Sequence, residues 1–287
     1  MEIRPLADLT FRSSFGIDFG YFFGRDIQYR TYESSENTSI TGLNTFSNYS
    51  LNWTWTNTAT YAKTFGQHSI KLLAGTEALS IGGNGISVGT NTFDFEDPNF
   101  INLDTDQFPT PSTDSSQPIP EKLFSYFGRV DYILANKYLI NATIRRDETS
   151  KIFEDERVGI FPSVGVGWRL SEEGFFSDIG IFDDLKIRAG WGRMGSIDNV
   201  NPGNQFTLFG SNVGTSWYDI NRTNNGAAVG YTPFRAGSLV TKWEQSETTN
   251  FGLDTSLLQG KWDFSFNVFV NNTIDLLVTK IKAPTEP

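Results

Sequence analysis

Apolar and polar side chains alternate along nine stretches of this chain, and the last two stretches show the pattern most clearly. Between Trp262 and Val278 the even-numbered positions are mostly apolar and the odd-numbered positions are mostly polar. Successive side chains of a β-strand point to opposite faces, so this pattern predicts a strand with one apolar and one polar face. Residues 250–258 alternate in the same way, and only residues 259–261 separate the two stretches. We therefore predict a hairpin.

The predicted strands are unusually long. At about 3.3 Å per residue, a strand over residues 262–278 would extend roughly 50 Å, whereas strands of soluble domains usually have about five or six residues. A strand that crosses a bilayer at a tilt and continues beyond it has such a length. The alternation predicts strands at residues 9–23, 47–62, 69–81, 122–134, 138–147, 158–170, 185–194, 240–258 and 262–278.

The connections between these strands differ in length at the two ends of the predicted hairpins. One set comprises residues 63–68, 135–137, 171–184 and 259–261, and the other comprises residues 24–46, 82–121, 148–157 and 195–239. Two members of the second set have about forty residues, which compact domains rarely contain unless the loop is functional. Short periplasmic turns and long extracellular loops are typical of outer-membrane barrels, so we predict an all-β, antiparallel transmembrane barrel segment.

Composition agrees with a membrane barrel. Aromatic residues make up 15% of the chain although its mean hydropathy is −0.31, and polar lumen faces combined with aromatic girdles produce such values. No apolar run reaches the roughly eighteen residues of a transmembrane helix. The net charge of −10 argues against nucleic acid as a partner.

Motifs for catalysis, cofactors and metals are not found in the sequence. His68 is the only histidine and the chain has no cysteine, so neither a histidine-based catalytic triad nor a zinc site is expected. Residues 82–85 are glycine-rich but lack the Gly-Lys-Ser/Thr ending of a phosphate-binding loop. We expect no enzymatic activity, no cofactor and no metal centre.

The strand count indicates that the wall is incomplete. Nine is an odd number, whereas bacterial single-chain barrels have even numbers of strands, and lipid tolerates no open sheet edge. Residues 283–287 include two prolines, which cannot contribute a donor to a closing strand. We therefore expect residues 1–287 to be part of the barrel domain of a larger protein.

Several ordered blocks resemble the barrel of SusC/RagA-type TonB-dependent transporters, and the resemblance covers nearly the whole chain. The blocks are Trp53-Thr54-Trp55-Thr56-Asn57-Thr58, His68-Ser69-Ile70 with Ala74-Gly75-Thr76-Glu77, Tyr126-Phe127-Gly128-Arg129-Val130-Asp131-Tyr132 with Asn136-Lys137-Tyr138, residues 161–171, Leu185-Lys186-Ile187-Arg188-Ala189-Gly190-Trp191-Gly192, and residues 243–254.

This resemblance implies an importer in the outer membrane of a Gram-negative bacterium of the Bacteroidetes type. Its implied substrates are bulky nutrients such as oligosaccharides, other glycans or peptides. Its implied partners are outer-membrane lipid, a SusD-like surface lipoprotein and TonB, which contacts the barrel through a plug domain. No plug domain is seen in residues 1–287, so energy coupling is expected to reside outside them.

The polar face carries glycines and charges. In Gly165-Val166-Gly167 and Gly190-Trp191-Gly192 the glycines share this face, where missing side chains bend a strand and leave room for a plug or a solute. Arginines and aspartates are expected on the same face, where a network that holds a plug is preferred to a substrate site. They are Arg129, Arg145, Arg169, Arg188, Asp131, Asp254, Asp263 and Asp275.

The two longest loops are candidates for contact with a ligand. The loop at 82–121 contains six carboxylates that could bind calcium, although they lack EF-hand spacing and solvated loop charge is preferred. They are Asp94, Glu96, Asp97, Asp104, Asp106 and Asp114. The loop at 195–239 contributes Trp217, Tyr218, Asn221 and Tyr231. Aromatic rings beside amides suit sugar or peptide recognition, but a membrane-interface rim or a lid contact remains an alternative.

Two other classes of protein remain open. A soluble carbohydrate-binding or adhesion β-sandwich would bury both sheets against each other, which conflicts with adjacent tryptophans on outward-facing positions. A glycoside hydrolase would need two facing carboxylates, and Glu244 with Glu247 is the pair that could be suggested. If the hairpin over residues 250–278 lay inside a compact two-sheet core, the membrane interpretation would be wrong.

Overall fold

The computed structural model describes residues 1–32, 38, 40–93, 95–104, 112–116, 119–176, 181–211, 216–219 and 228–278. Nearly all regular structure in these residues is β-strand. The strands are β1 (Glu2–Leu6), β2 (Leu9–Gln28), β3 (Thr41–Phe65), β4 (His68–Phe93), β5 (Ser112–Ser116), β6 (Glu121–Leu134), β7 (Tyr138–Thr149), β8 (Val158–Arg169), β9 (Phe182–Ser196), β10 (Leu208–Gly210), β11 (Thr232–Arg235), β12 (Glu244–Leu257) and β13 (Trp262–Ile274).

Ten strands form a meander in the order β1-β2-β3-β4-β6-β7-β8-β9-β12-β13. Neighbours are antiparallel wherever the described residues give the register. Strand β5 pairs with β4 beside this path, and β10 and β11 form a separate two-stranded sheet. Within the described residues β1 and β13 each have one neighbour, so the sheet is not closed. The predicted all-β, antiparallel and incomplete wall is confirmed.

All nine predicted long strands are present, and a tenth, short strand, β1, joins the same sheet. The argument from an odd number of strands is therefore lost. The sequence pattern did not indicate β1, because it has only five residues and one of them is Pro5. Pro5 is tolerated there because β1 is the end strand of the order, where one side of the ladder has no partner. A two-residue turn joins β1 to β2, with Leu6 opposite Leu9.

The last strand is shorter than predicted. It has 13 residues and ends at Ile274, because the next residue, Asp275, has a φ of 54° that a strand cannot contain. Strands β3 and β4 are instead longer than predicted, at 25 and 26 residues. Both exceed by far the length usual in soluble domains.

Turns at one end of the meander are short because residues in the left-handed region reverse the chain. Ala135 and Asn136 adopt φ values of 51° and 59° between β6 and β7, and Gly66 adopts 59° between β3 and β4. Leu258, Gln259 and Gly260 do the same between β12 and β13. Such consecutive positive φ values produce the tight hairpin connections that the sequence predicted.

The chain divides into two compact units. The first comprises Met1–Ser14, Trp55–Ala78 and Lys122–Pro287, and the second comprises Phe15–Thr54 and Leu79–Glu121. A buried cluster of Leu43, Phe93 and Ile101 forms the core of the second unit, where Arg25 donates to the carbonyl of Pro98 at 2.8 Å. The predicted loop at 82–121 therefore contains regular structure, since β4 continues to Phe93 and pairs with β5.

The hairpin of β12 and β13 lies outside any two-sheet core. Every residue of β13 is exposed, including Phe266 at 66% and Phe269 at 69%. None of the helices in the described part of the chain is long and apolar enough to cross a membrane.

Candidate functional site: the polar face of the sheet

Strand register sorts the side chains of the first unit into an apolar face and a polar face. Ile140 lies opposite Val166, and the next position along places Asn141 opposite Gly165. Because cross-strand partners share a face, the apolar pair and the polar pair are on opposite sides of the sheet. The same alternation places Phe251 opposite Val268, and Gly252 opposite Asn267, in the final hairpin.

Arg145 is the centre of the most buried charge network on the polar face. Its Nε donates to Asp147 Oδ1 at 2.7 Å, and its Nη2 donates at 2.8 Å to both Glu77 Oε1 and Ser125 Oγ. Ser125 is fully buried and Asp147 is 7% exposed. The guanidinium also stacks over the ring of Phe127 at 5.5 Å. One cation therefore links two carboxylates, on β4 and β7, and a hydroxyl on β6.

A second network is built around Arg188 and Asp254. Arg188 Nε donates to Asp254 Oδ2 at 2.9 Å, while Ser265 Oγ donates to Asp254 Oδ1 at 2.8 Å. Arg188 also donates to Asn267 Oδ1, and Lys186 Nζ lies 3.6 Å from Asp254. The network links β9, β12 and β13, and two cations share the carboxylate of Asp254.

The glycines of the polar face make room for these neighbouring side chains. A Cβ at Gly252 would lie 2.6 Å from Arg188 Cζ, and a Cβ at Gly165 would lie 2.8 Å from Asn141 Nδ2. Such distances are far inside van der Waals contact. At Gly165, one of the glycines expected to leave room for a plug or a solute, the amide of Asn141 therefore occupies the space next to the backbone.

An open trough of 490 Å³ is lined by Gly165, Gly167, Gly190 and Gly192. Asn141, Ser163, Lys186 and Asn250 line it together with the glycines of β8 and β9. Amides, hydroxyls and an ammonium group surround it, so the trough can donate and accept hydrogen bonds with a polar solute or a peptide backbone. The arrangement is therefore suited to binding a polar solute.

The arginines expected on the polar face have different partners. Arg129 pairs with Asp131 at 2.6 Å, and Arg188 pairs with Asp254 at 2.9 Å. Arg145 instead pairs with Glu77 and Asp147, and Arg169 donates to the amide oxygen of Asn136 at 2.9 Å. Among the described residues no ion pair involves Asp263 or Asp275, so their part in a charge network stays a prediction.

The aromatic loop residues lie at the end of the sheet opposite the short turns. Trp217 is 37% exposed and donates from Nε1 to Ser211 Oγ at 2.7 Å, whereas Tyr218 and Tyr231 are 66% and 72% exposed. A backbone bridge joins Tyr218 to Ala228. Asn221 lies outside the described residues. The geometry leaves the three aromatic rings accessible to a ligand.

The base of this loop is fixed by a cluster that sequence reasoning did not assign as a unit. Trp243 packs edge-on against Phe161 with ring centroids 5.2 Å apart, and its Nε1 donates to the carbonyl of Arg157 at 3.1 Å. Ile152, Ile197 and Val200 complete the buried cluster. The sequence signal for this cluster was that Phe161 and Trp243 each begin a block that resembles the transporter barrel, at residues 161–171 and 243–254.

The loop carboxylates engage in local contacts. Asp97 Oδ1 accepts from the backbone and side-chain nitrogens of Asn99, and Glu96 lies 3.4 Å from Arg30 Nε. No group of three or more potential metal ligands occurs among the residues that the structure describes. Asp94 and Asp106 lie outside those residues.

Aromatic residues on the apolar face gather near the short turns. Tyr138 and Trp168 stack with centroids 6.4 Å apart, and both donate to Glu173 Oε1, at 2.7 and 3.1 Å. Lys137 donates to the other oxygen of this carboxylate at 3.1 Å. Hydrogen bonds from Tyr138 and then Lys137 hold the pKa of the Glu173 carboxyl below its usual range. Amphipathic rings of this kind mark the boundary between lipid and water.

Acidification provides a test of the Glu173 contacts. A carboxyl whose pKa is lowered in the folded state stabilises that state above its unfolded pKa of about 4.3, and this contribution is lost as the pH falls through the folded pKa. Trp168 emission would be measured as the difference between wild type and W168F. This emission should stay constant from neutral pH down to the unfolded pKa of about 4.3 and should shift below it. E173Q should lack the shift. A transition well above that value would contradict the contact.

Comparison with known proteins identifies the family. Residues 5–286 match the family model described as TonB dependent receptor-like, beta-barrel. The TonB-dependent receptor SusC of Bacteroides thetaiotaomicron is 30% identical over 243 residues, which are 82% of this chain and 22% of SusC. The TonB-dependent receptor P39 of Formosa agariphila is 28% identical over 291 residues, which are 96% of this chain and 25% of that protein.

A solved structure agrees in fold. The structure of the RagAB peptide transporter superposes with a TM-score of 0.81 at 20% identity, covering 96% of this chain and 29% of that one. The chain spans about a quarter of the length of the curated relatives it matches. Since the family model covers nearly all residues and the sheet agrees with it, the chain belongs to the TonB-dependent receptor-like β-barrel family, in its SusC/RagA branch, and is part of an outer-membrane protein.

Proposed function

We propose that residues 1–287 form part of the barrel domain of an importer that moves bulky nutrients across the outer membrane with TonB-derived energy. The observation that carries this proposal is the division of one sheet into an apolar face and a polar face with networks of paired charges. An apolar exterior suits lipid, and a polar lumen face suits a plug or a hydrated solute. The chain acts in binding and passage and not as an enzyme.

The substrates of the importer are oligosaccharides, other glycans or peptides. The similarity to a TonB-dependent receptor named SusC and to a peptide transporter supports this range. Its partners are a SusD-like surface lipoprotein, and TonB acting through a plug domain that residues 1–287 do not supply. The Arg145 and Arg188 networks hold the wall rigid around that plug.

Growth of a deletion strain tests the proposal. A Gram-negative host that lacks the gene for the protein containing this chain would be grown on oligosaccharides, polysaccharides or peptides as the sole nutrient. We expect the deletion strain to grow poorly on one class of nutrient only. The wild-type gene should restore growth on that class, and removal of TonB should abolish the restored growth. Growth on that class that continues without TonB would contradict active import.

We further propose that Trp217, Tyr218, Asn221 and Tyr231 contact the substrate. Replacing Trp217 or Tyr231 by alanine should weaken binding of the nutrient found in the growth screen by about fivefold or more, because a stacked ring contributes on the order of 1 kcal/mol beyond its buried area. Isothermal titration measures the effect. The matched control is F234A, another exposed ring of the same loop, at 68% exposure. Equal affinities for W217A, Y231A and F234A would contradict the assignment.

A further inference from the structure

The apolar face contains a groove that the chain itself leaves unfilled. Two adjoining cavities of 680 and 410 Å³ share Ala59, Ala74, Gly128 and Ile144 as lining residues. The register places Ile144 opposite Gly128 and Ile140 opposite Tyr132, so the shared lining belongs to the apolar side of the sheet. The shared residues come from β3, β4, β6 and β7, and residues of β1 and β2 line other parts of the groove.

Gly128 differs from the glycines of the polar face. A Cβ at Gly128 would meet nothing closer than Leu73 O at 3.7 Å and Ile144 Cγ2 at 4.0 Å. At Gly75, by contrast, a Cβ would lie 2.5 Å from the ring of Phe127. Packing within the chain therefore explains the glycine at 75 but not the one at 128, and the space above Gly128 is open to a molecule from outside.

Arg146 stands at the loop end of the groove. It lines the larger cavity, lies opposite Tyr126 and pairs with Glu148 at 3.1 Å. Arg146 is eight residues beyond Tyr138 on β7, a distance of about 26 Å along the strand and, at a tilt of about 40°, roughly 20 Å across the membrane. Tyr138 belongs to the aromatic boundary at the turn end, so Arg146 lies near the outer boundary of the apolar band.

We propose that this groove binds an acyl chain of an anionic lipid in the outer leaflet, with the phosphate of its headgroup against Arg146. The occupant follows from continuity with the lipid-facing surface and from the charge at its outer end. The hydrophobic effect does not favour binding between a protein surface and a lipid that is already in hydrocarbon. Selectivity for one lipid must therefore come from packing in the groove and from the ion pair between Arg146 and the phosphate. The site is independent of the nutrient that the lumen carries.

Native mass spectrometry of the intact outer-membrane protein tests the groove. The protein would be purified in detergent with equal amounts of phosphatidylglycerol and phosphatidylcholine. We expect the wild type to retain phosphatidylglycerol preferentially, and Gly128→Leu, which fills the groove, to lose most of the retained lipid. The matched control is Ala189→Leu, which lies on the same face opposite Phe251 and outside both cavities.

A second pair of variants tests the headgroup contact, even if Gly128→Leu fails to assemble. Arg146→Gln should lower the preference for phosphatidylglycerol about fivefold, because one basic side chain near an anionic headgroup contributes on the order of 1 kcal/mol. Arg193→Gln is the control, since Arg193 lies on the apolar face and pairs with Glu247 at 2.9 Å. Its preference should match the wild type.

Three results would overturn the proposal. The first is equal retention of both lipids by the wild type, and the second is equal behaviour of Arg146→Gln and Arg193→Gln. The third is a wild-type dimer that Gly128→Leu converts to monomers, which would assign the groove to a second copy of the protein. None of these results would affect the growth phenotype that tests nutrient import.

Discussion

Replacing Trp243 by alanine is expected to open the extracellular loop between β9 and β12 while the strands of the wall remain paired. Trp243 is 5% exposed, packs against Phe161 and caps the Arg157 carbonyl. Removing a buried tryptophan costs about 3–5 kcal/mol, and here the loss falls on the cluster that anchors the loop. Hydrogen exchange over residues 197–211 and 228–243 measures the opening.

The control for this experiment is F209A. Phe209 lies in β10 of the same loop but is 61% exposed, so its removal leaves no cavity. Exchange in β12 and β13 should be unchanged in both variants. Unchanged loop exchange in W243A, or equal exchange in W243A and F209A, would show that the cluster does not anchor the loop.

Loss of the arginine at position 145 is expected to destabilise the barrel wall more than loss of any other arginine on the polar face. Arg145→Met leaves Glu77 and the nearly buried Asp147 without their cation. A fully buried unpaired charge costs about 3–5 kcal/mol, which we reduce to roughly 2 kcal/mol because the Arg145 side chain is 32% exposed. Urea unfolding of the intact protein in detergent, followed by tryptophan emission, measures the difference.

Two further variants separate charge from packing at this network. Adding Glu77→Gln to Arg145→Met removes one of the two unpaired charges and should recover part of the lost stability. Arg129→Met is the matched control, because Arg129 is 52% exposed and pairs only with its near neighbour Asp131, so its loss should cost less than about 1 kcal/mol. Equal destabilisation by R129M and R145M would contradict a special role for the Arg145 network.

The nine long strands and their two faces could be predicted because alternation is a local property. The sequence of each strand shows which side chains are apolar and which are polar, and this does not depend on the neighbouring strand. The short turns were equally accessible, since Gln259, Gly260 and Lys261 interrupt the pattern between two clear stretches. Membership of the family was predictable from the same strands, because its barrel blocks coincide with β3, β4, β6, β8, β9 and β12.

Elements with weak alternation could not be predicted. Strand β1 is short and contains Pro5, while β5, β10 and β11 have five, three and four residues, too few to establish a period. Their formation depends on a partner strand that supplies hydrogen bonds, so the local sequence carries little signal.

The candidate site was predicted in kind but not in detail. Sequence alone indicated that Arg145 and Arg188 face the polar side, but it did not assign a carboxylate to either of them. Glu77 is 68 residues from Arg145 and Asp254 is 66 residues from Arg188, so the register across several strands decides which carboxylate each guanidinium meets. Register also decides that the space next to Gly75 is filled by the ring of Phe127, whereas the space next to Gly128 is open.

For this chain, the sequence by itself determined the strands, their faces and the family, because period-two alternation and contiguous motifs are encoded within each strand. Only the tertiary structure decided which charges pair, which glycines are filled by neighbouring side chains and where a groove is left open. Those features arise between strands that are distant in sequence, and a shift of one residue in register would exchange every side chain between the lipid face and the polar face.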